Sequence, residues 1–184
     1  PLGQGVVVAV IESLASRHVK TVAALHCATL TGLLSQLGAT AAEAFYEGCV
    51  RTNLATGLVD LRESAVCGFV LGSLHPDLLR RDVLRKNPVD TLAALAAGVV
   101  SRPSAMVSLL KSFRGPEEGH VDGRVPELTY LAVVSDNRGG GTGRSLVEAF
   151  SDRMRLAGVD AYDLSVDEEN AEAIAFYERL GFRQ

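Results

Sequence analysis

The stretch Glu127–Arg144, E-L-T-Y-L-A-V-V-S-D-N-R-G-G-G-T-G-R, limits what this chain can fold into more than any other. Leu128, Tyr130, Ala132 and Val134 alternate with Thr129, Leu131 and Val133, so 127–134 reads as a buried strand. Glycines crowd Gly139–Gly143. After them Leu146, Val147, Phe150 and Met154 recur at helical spacing, and Gly158 stands where a glycine would end the helix. A strand, a glycine-rich turn and a helix aim several backbone N–H groups and the positive end of a helix at one point. That is a ready site for a phosphate or diphosphate.

Two familiar phosphate motifs fail here. A P-loop needs glycine five residues before its Gly-Lys pair, where Arg138 stands, and Arg144 replaces the lysine. The dinucleotide pattern G-x-G-x-x-G fails at Arg144 when started at Gly139, and at Leu146 when started at Gly141. What fits is R-x-x-G-x-G, with Arg138, Gly141 and Gly143. A tight turn alone explains one glycine with positive φ. Three in a row, Gly139, Gly140 and Gly141, then Thr142-Gly143, exceed that need and favour close backbone approach to a ligand. By itself Arg138 reads as a surface arginine.

The continuation carries a second pattern: Leu164-Ser-Val166, then Asn170, Ala173, Phe176-Tyr177-Glu178 and Leu180-Gly181-Phe182. Together the two patterns resemble those of the GCN5-related N-acetyltransferases, the GNAT superfamily. Its first signature is [Q/R]-x-x-G-x-[G/A], and its second is similar to N-x-x-A-x-x-F-Y-x-x-x-G-F. The specific resemblance covers 127–184; residues 1–126 match only in their order of elements.

The resemblance implies an α/β (α+β) fold: a mixed, mostly antiparallel sheet flanked by helices, with a parallel pair near 127–134 and 159–166. It implies acetyl-CoA as cosubstrate and a primary amine as acceptor, joined by direct attack in a ternary complex with no covalent enzyme intermediate and no metal. Such transfer must hold the coenzyme, deprotonate the ammonium and stabilise charge on the thioester oxygen. The resemblance assigns the grip on the diphosphate to the backbone of Arg138, Gly139, Gly140, Gly141, Thr142, Gly143 and Arg144. It assigns Leu131, Ala132 and Val133 to a ladder with the coenzyme's amide-bearing arm, and the Leu131 amide to the oxyanion. Asn170 caps the next helix and, with Ala173, borders the coenzyme.

Glu127 is the candidate base, at the spacing before Arg138 where several family members carry a catalytic glutamate. The competing reading is a strand-edge carboxylate after Pro126, and Glu117, Glu118, His120 and Asp122 could serve instead. Tyr177 is the candidate acid for the departing thiolate, against an ordinary half-buried core tyrosine. The alternative function is a non-catalytic module that holds acyl-CoA as a sensor or scaffold; a donor longer than acetyl is a third reading.

Upstream, Gly5–Ile11 is β-branched and predicts a first strand. Val19, Val22, Ala23, His26, Leu30 and Leu33 predict a helix that breaks near Thr31-Gly32. His26 reads as a packed core histidine, since no second ligand stands at metal spacing. Thr40 and Glu43 form a capping box opening a second helix. Gly57–Leu61 and Ala65–Leu74 read as a hairpin around Arg62-Glu63-Ser64, with Gly68 and Gly72 marking bulges or close approach. The 75–126 stretch reads as a helical and loop insertion: a short basic helix over Leu78–Leu84, another opened by Pro88, a third from Ala105 to Phe113, and the polar loop Gly115–Arg124. Residues 77–114 hold seven Lys/Arg against three Asp, net +4, which leaves −8 for the remainder of a chain whose net charge is −4. A solvated charged face is the bland reading, and a lid or basic rim the functional one.

The 184 residues suit one domain, 1–184. The net charge argues against a nucleic-acid partner. The apolar runs are too short or interrupted for a membrane partner. Cys27, Cys49 and Cys67 form no CxxC pair, so reduced thiols and a cytoplasmic location are expected. The chain begins at Pro1 and stops at Gln184, where a family member would continue into further strands, so missing C-terminal strands are an expectation too. A homodimer is left open.

Overall fold

A computed structural model describes residues 9–86 and 125–184. The order of elements is β1 (Val10–Ser13), α1 (Val19–Thr29), α2 (Leu33–Leu37), α3 (Ala39–Val50), β2 (Ala55–Arg62), β3 (Ala65–Ser73), α4 (Pro76–Lys86), β4 (Glu127–Val133), α5 (Thr142–Leu156), β5 (Asp163–Leu164) and α6 (Ala171–Arg179). The strands lie in the order β1-β2-β3-β4-β5. Every neighbouring pair is antiparallel except β4 with β5, which is parallel. This is the mixed, mostly antiparallel sheet expected. The expected helices at Pro88 and at Ala105–Phe113, the loop Gly115–Arg124 and the start of the expected strand at Gly5 lie outside the described residues.

The sheet is buried on both faces. Val59, Phe69, Leu71 and Ala132 pack with Val22, Ala23, Tyr46 and Cys49 from α1 and α3, and with Leu79 and Val83 from α4. On the other face Leu58, Val70 and Leu128 pack with Leu146, Val147, Phe150 and Met154 of α5. Both faces of β2 and β3 therefore carry buried apolar side chains, as central strands require. The β2–β3 turn puts Glu63 at φ 50° and Ser64 at φ 69°. Two left-handed residues are what a two-residue hairpin turn needs.

Both suspected glycines sit at register shifts. One shift falls between Asp60 and Leu61, beside Gly68, and the other between Leu71 and Gly72. At the second, Leu71 pairs with Tyr130 and Gly72 with Leu128, leaving Thr129 as the extra residue of a bulge in β4. A Cβ on Gly72 would collide with the Glu127 carbonyl and the Phe150 ring. The bulge corrects the simple alternation. Leu128 faces α5, whereas Tyr130 and Ala132 face α1 and α3.

Four expectations need revision. The first strand runs to Ser13 rather than ending at Ile11. Helix α3 starts at Ala39 with Gly38 as its N-cap and no side-chain cap, so Thr40 and Glu43 do not form the opening box. Gly38 has φ 90°, a conformation that glycine takes without strain and that replaces a hydroxyl cap here. The strand expected over 159–166 pairs only at Asp163 and Leu164. Residues 157–159 are spent closing α5: Gly158 N–H donates to Arg155 O and Val159 N–H to Met154 O, a paired C-terminal cap around the left-handed Gly158. The fourth concerns α4, which reaches beyond Leu84 to Lys86; it buries Leu79 and Val83 and exposes Arg80, Arg81 and Arg85.

Candidate active site

Strand β4 is paired with β3 along its length, but with β5 only at Glu127 and Leu128. From Thr129 to Val133 one edge of β4 has no strand partner among the described residues. Unpaired N–H and C=O groups along a strand edge are a template for an extended ligand. The edge opens onto a cleft of about 490 Å³ whose lining includes Leu131, Ala132, Val133, Arg138, Gly141 and Tyr177.

The glycine turn closes one end of this cleft. Gly139 and Gly141 take φ 73° and 85°, in the left-handed region that favours glycine. Gly141 is the N-cap of α5 and no side chain caps it. The first intrahelical bond from this turn is Ser145 N–H to Gly141 O, at 2.9 Å. The N–H groups of Thr142, Gly143 and Arg144 precede it and belong to the set a helix leaves for a ligand or water. With the helix dipole behind them they favour an anion. Gly143 is set differently: a Cβ there would meet Phe176 Cζ at 3.3 Å, so it keeps α5 close to α6.

Tyr177 is held by two aromatic neighbours. Gly181, at φ 94°, turns the chain so that Phe182 N–H donates to Tyr177 O at 3.1 Å and Gly181 N–H to Glu178 O at 2.9 Å. That cap folds the Phe182 ring edge-on against Tyr177, 5.6 Å between centroids, and the Phe176 ring also meets it edge-on at 5.0 Å. The spacing F-Y-x-x-x-G-F thus has a local reason: the glycine returns an aromatic residue to brace the tyrosine. Burial, and more weakly Tyr162, pushes the Tyr177 phenol up to about 12. It stays protonated at neutral pH. Asn170 caps α6 by accepting the Ala173 N–H at 3.1 Å, and both residues line the cleft.

The expected set does not gather completely. Leu131, Ala132, Val133, Arg138, Gly139, Gly141, Gly143, Arg144, Asn170, Ala173 and Tyr177 line one cleft. Gly140 and Thr142 are outside that lining; the Thr142 side chain is 2% exposed and points into the protein. Glu127 is outside it as well, at the far end of β4 beside Ser73 and Asp163. It stands four positions before Leu131, roughly 13 Å along a strand. The bulge at Thr129 turns Glu127 to the same face as Tyr130, whose phenol is pushed up chiefly by burial, then by Cys49 and by the Glu127 charge. Glu117, Glu118, His120 and Asp122 lie outside the described residues.

The sequence reading passed over several lining residues. Thr29 and Leu30 reach the cleft from the end of α1, and Glu172, Phe176 and Arg179 from α6. Phe176 could have been found, because it stands beside Tyr177 in the second pattern. Thr29 and Leu30 carry no sequence signal. His26 is a packed core residue, 1% exposed, with Nδ1 2.7 Å from the Tyr46 hydroxyl. Among the described residues no three His, Cys, Asp or Glu side chains gather as a metal site. Nor is any helix there long and apolar enough to cross a membrane.

Comparison with known proteins bears on the fold and the family. Solved structures share the fold at low identity. An aminoglycoside N-acetyltransferase AAC(6′)-Iy in complex with CoA superposes with a TM-score of 0.67 at 14% identity, over 100% of this chain and 93% of that one. A ribosomal-protein-alanine N-acetyltransferase from Brucella melitensis superposes with a TM-score of 0.57 at 15% identity, over 96% and 93%. In sequence, a mycothiol acetyltransferase of Thermobispora bispora is 41% identical over 61 residues, 33% of this chain and 21% of the relative. That of Propionibacterium freudenreichii is 39% identical over 74 residues, 40% and 24%. The chain therefore matches about a fifth to a quarter of the length of these relatives. The Acetyltransferase (GNAT) family profile matches residues 35–182, and across that span the chain belongs to the GNAT acetyltransferase family.

Proposed function

We propose that the protein is an N-acetyltransferase that moves the acetyl group of acetyl-CoA to a primary amine by direct attack. The observation that carries this reading is a single cleft bounded by an unpaired strand edge, an uncapped helix N-terminus and a braced tyrosine. A coenzyme made of an amide-bearing arm, a diphosphate and a thioester fits that order of groups. The Thr129–Val133 edge offers hydrogen bonds to the arm, and the N–H groups of 142–144 meet the diphosphate. The thioester then lies between the Leu131 amide and Tyr177. The family and its CoA-bound relative support the same donor.

In the reaction the amine lone pair attacks the thioester carbonyl, the C–S bond breaks and its electron pair leaves on sulfur. The Leu131 N–H stabilises the charge on oxygen. Tyr177 donates a hydrogen bond to the departing sulfur. Its phenol, near 12, does not give up its proton fully to a thiolate whose acid lies near ~8.5, so stabilisation of sulfur precedes protonation. The amine proton goes to a base. Glu127 is too far for direct abstraction beside Leu131 and would act through water. The sensor reading gains no specific observation, because a scaffold has no use for a tyrosine braced in the donor cleft.

The names of the relatives suggest amines to try. Release of free CoA is measured with acetyl-CoA and a panel holding an aminoglycoside, an aminosugar, a polyamine and a peptide with N-terminal alanine. Acceptor-dependent release with at least one amine is the expected result. Tight CoA binding without release across the panel would favour the sensor.

A further inference from the structure

Behind the glycine turn, on the sheet side of α5, strand β2 carries two charges in an apolar run, Gly57-Leu-Val-Asp-Leu-Arg62. Asp60 is 1% exposed, and the Arg62 side chain 27%. Asp60 pairs across the sheet with Gly68, where a Cβ would press on Leu146 Cδ1 at 3.0 Å and Thr142 Cγ2 at 3.1 Å. That face of the hairpin thus looks at the first turn of α5. Arg62 Nη2 donates to Thr142 Oγ1 at 2.7 Å across 80 residues of sequence, while Asp60 Oδ2 stands 4.0 Å from the same nitrogen. Asp60 Oδ1 and Arg62 Nε are buried with no hydrogen-bond partner.

A buried pair arranged for stability closes into a two-pronged contact that satisfies both groups. This one stays open. Its guanidinium leans toward Thr142 instead, at the expense of two unsatisfied polar atoms. Thr142 gains nothing in the cleft from this bond, because its side chain is turned inward. What the bond fixes is the first turn of α5, whose N–H groups face the anion site.

We propose that Arg62, with Asp60 as its counter-charge, is a positioning residue for the coenzyme diphosphate: it holds the first turn of α5 through Thr142. The inference rests on the reading of this turn as the diphosphate site. Arg62 touches no ligand. It acts through Thr142, whose hydroxyl it holds at 2.7 Å at the start of α5.

The test separates positioning from folding by using two ligands. CoA is titrated calorimetrically, and pantetheine, which has the arm but no diphosphate, is followed through the Leu131–Val133 amide shifts at millimolar concentration. Arg62→Met should weaken CoA about tenfold and leave pantetheine unchanged, with Arg62→Lys recovering part of the loss. Thr142→Val should lose a similar factor, and the double variant should add little to either single change. Equal CoA affinity in wild type and Arg62→Met overturns the proposal, as does equal weakening of CoA and pantetheine. If Arg62→Met does not fold, Thr142→Val decides, and unchanged CoA affinity there overturns it. Wild-type protein that binds pantetheine but not CoA would instead remove the diphosphate reading, and this inference with it.

Discussion

The two faces of the sheet are built on opposite terms. On the α5–α6 side the groups that line the cleft include main-chain atoms of a turn held by the left-handed Gly139 and Gly141 and of a strand edge left open. On the α1–α3 face, polar atoms are turned inward and satisfied by one another. His26 meets Tyr46, and the rings of Phe45, Tyr46, Phe69, Tyr130 and His26 stack edge to face around them. On the first side main-chain hydrogen-bonding groups stay open to the cleft, and on the second the polar side chains pair within the core. Strand β4 belongs to both, and the bulge at Thr129 divides its side chains between them.

The sharpest break of that contrast is at Gly72, where the two faces share backbone. Gly72→Ala should cost about 3 kcal/mol, since the new methyl meets the Glu127 carbonyl and the Phe150 ring rather than open space. Urea unfolding measures it; a cost below about 1 kcal/mol would mean that the bulge yields easily.

Acid should strike the α1–α3 face first. Burial holds the His26 imidazole down to about 4 from its ordinary 6.5. A depressed folded value for a base means the unfolded chain binds the proton more readily. The stabilisation is therefore complete above about 6.5 and lost as pH falls toward 4, by up to about 3 kcal/mol. Unfolding free energy at pH 7 and pH 4.5 should differ by less in His26→Gln than in wild type. An unchanged acid limb in that variant would place the titrating group elsewhere.

Within the α5–α6 face the two signature glycines should separate. Gly141→Ala must hold an L-residue at φ 85°, and CoA affinity should fall on the order of thirtyfold while the fold survives. Gly143→Ala only presses on Phe176 at 3.3 Å and should lose less. Calorimetry ranks them, and the reverse order would shift the tight approach from Gly141 to Gly143.

Tyr177→Phe keeps the packing against Phe176 and Phe182, so kcat should drop about tenfold with little change in CoA affinity. Loss of affinity in proportion to rate would make the tyrosine a packing residue. The smallest effect belongs to Glu127→Gln: a few-fold fall in kcat/KM near neutral pH, recovering as the amine deprotonates itself at high pH. A wild-type pH profile in that variant would move the base to the 117–122 stretch.

How much was legible in advance follows the same division. The turn, α5 and α6 could be read because their determinants are local. A glycine at positive φ, an asparagine accepting the third N–H of its helix and a glycine that returns Phe182 onto Tyr177 each act within a few residues. The hairpin at Glu63-Ser64 was legible for the same reason. Register was not. Alternation put Leu128 and Tyr130 on one face, and the bulge separated them because Phe150, far along the chain, fills the space over Gly72. Nor did spacing alone show that Glu127 falls outside the cleft, since a strand's length had to be laid along the sheet to measure it.

By itself, then, the sequence determined the family patterns, the glycine-rich turn before α5 and the glycine stop of α6, since short-range backbone geometry encodes each. Only the tertiary structure decided where β4 parts from β5, which side chains reach the cleft from α1, and that Arg62 supports a turn 80 residues away. Those are contacts between distant segments, fixed by how helices and sheet pack, and no local spacing of residues records them.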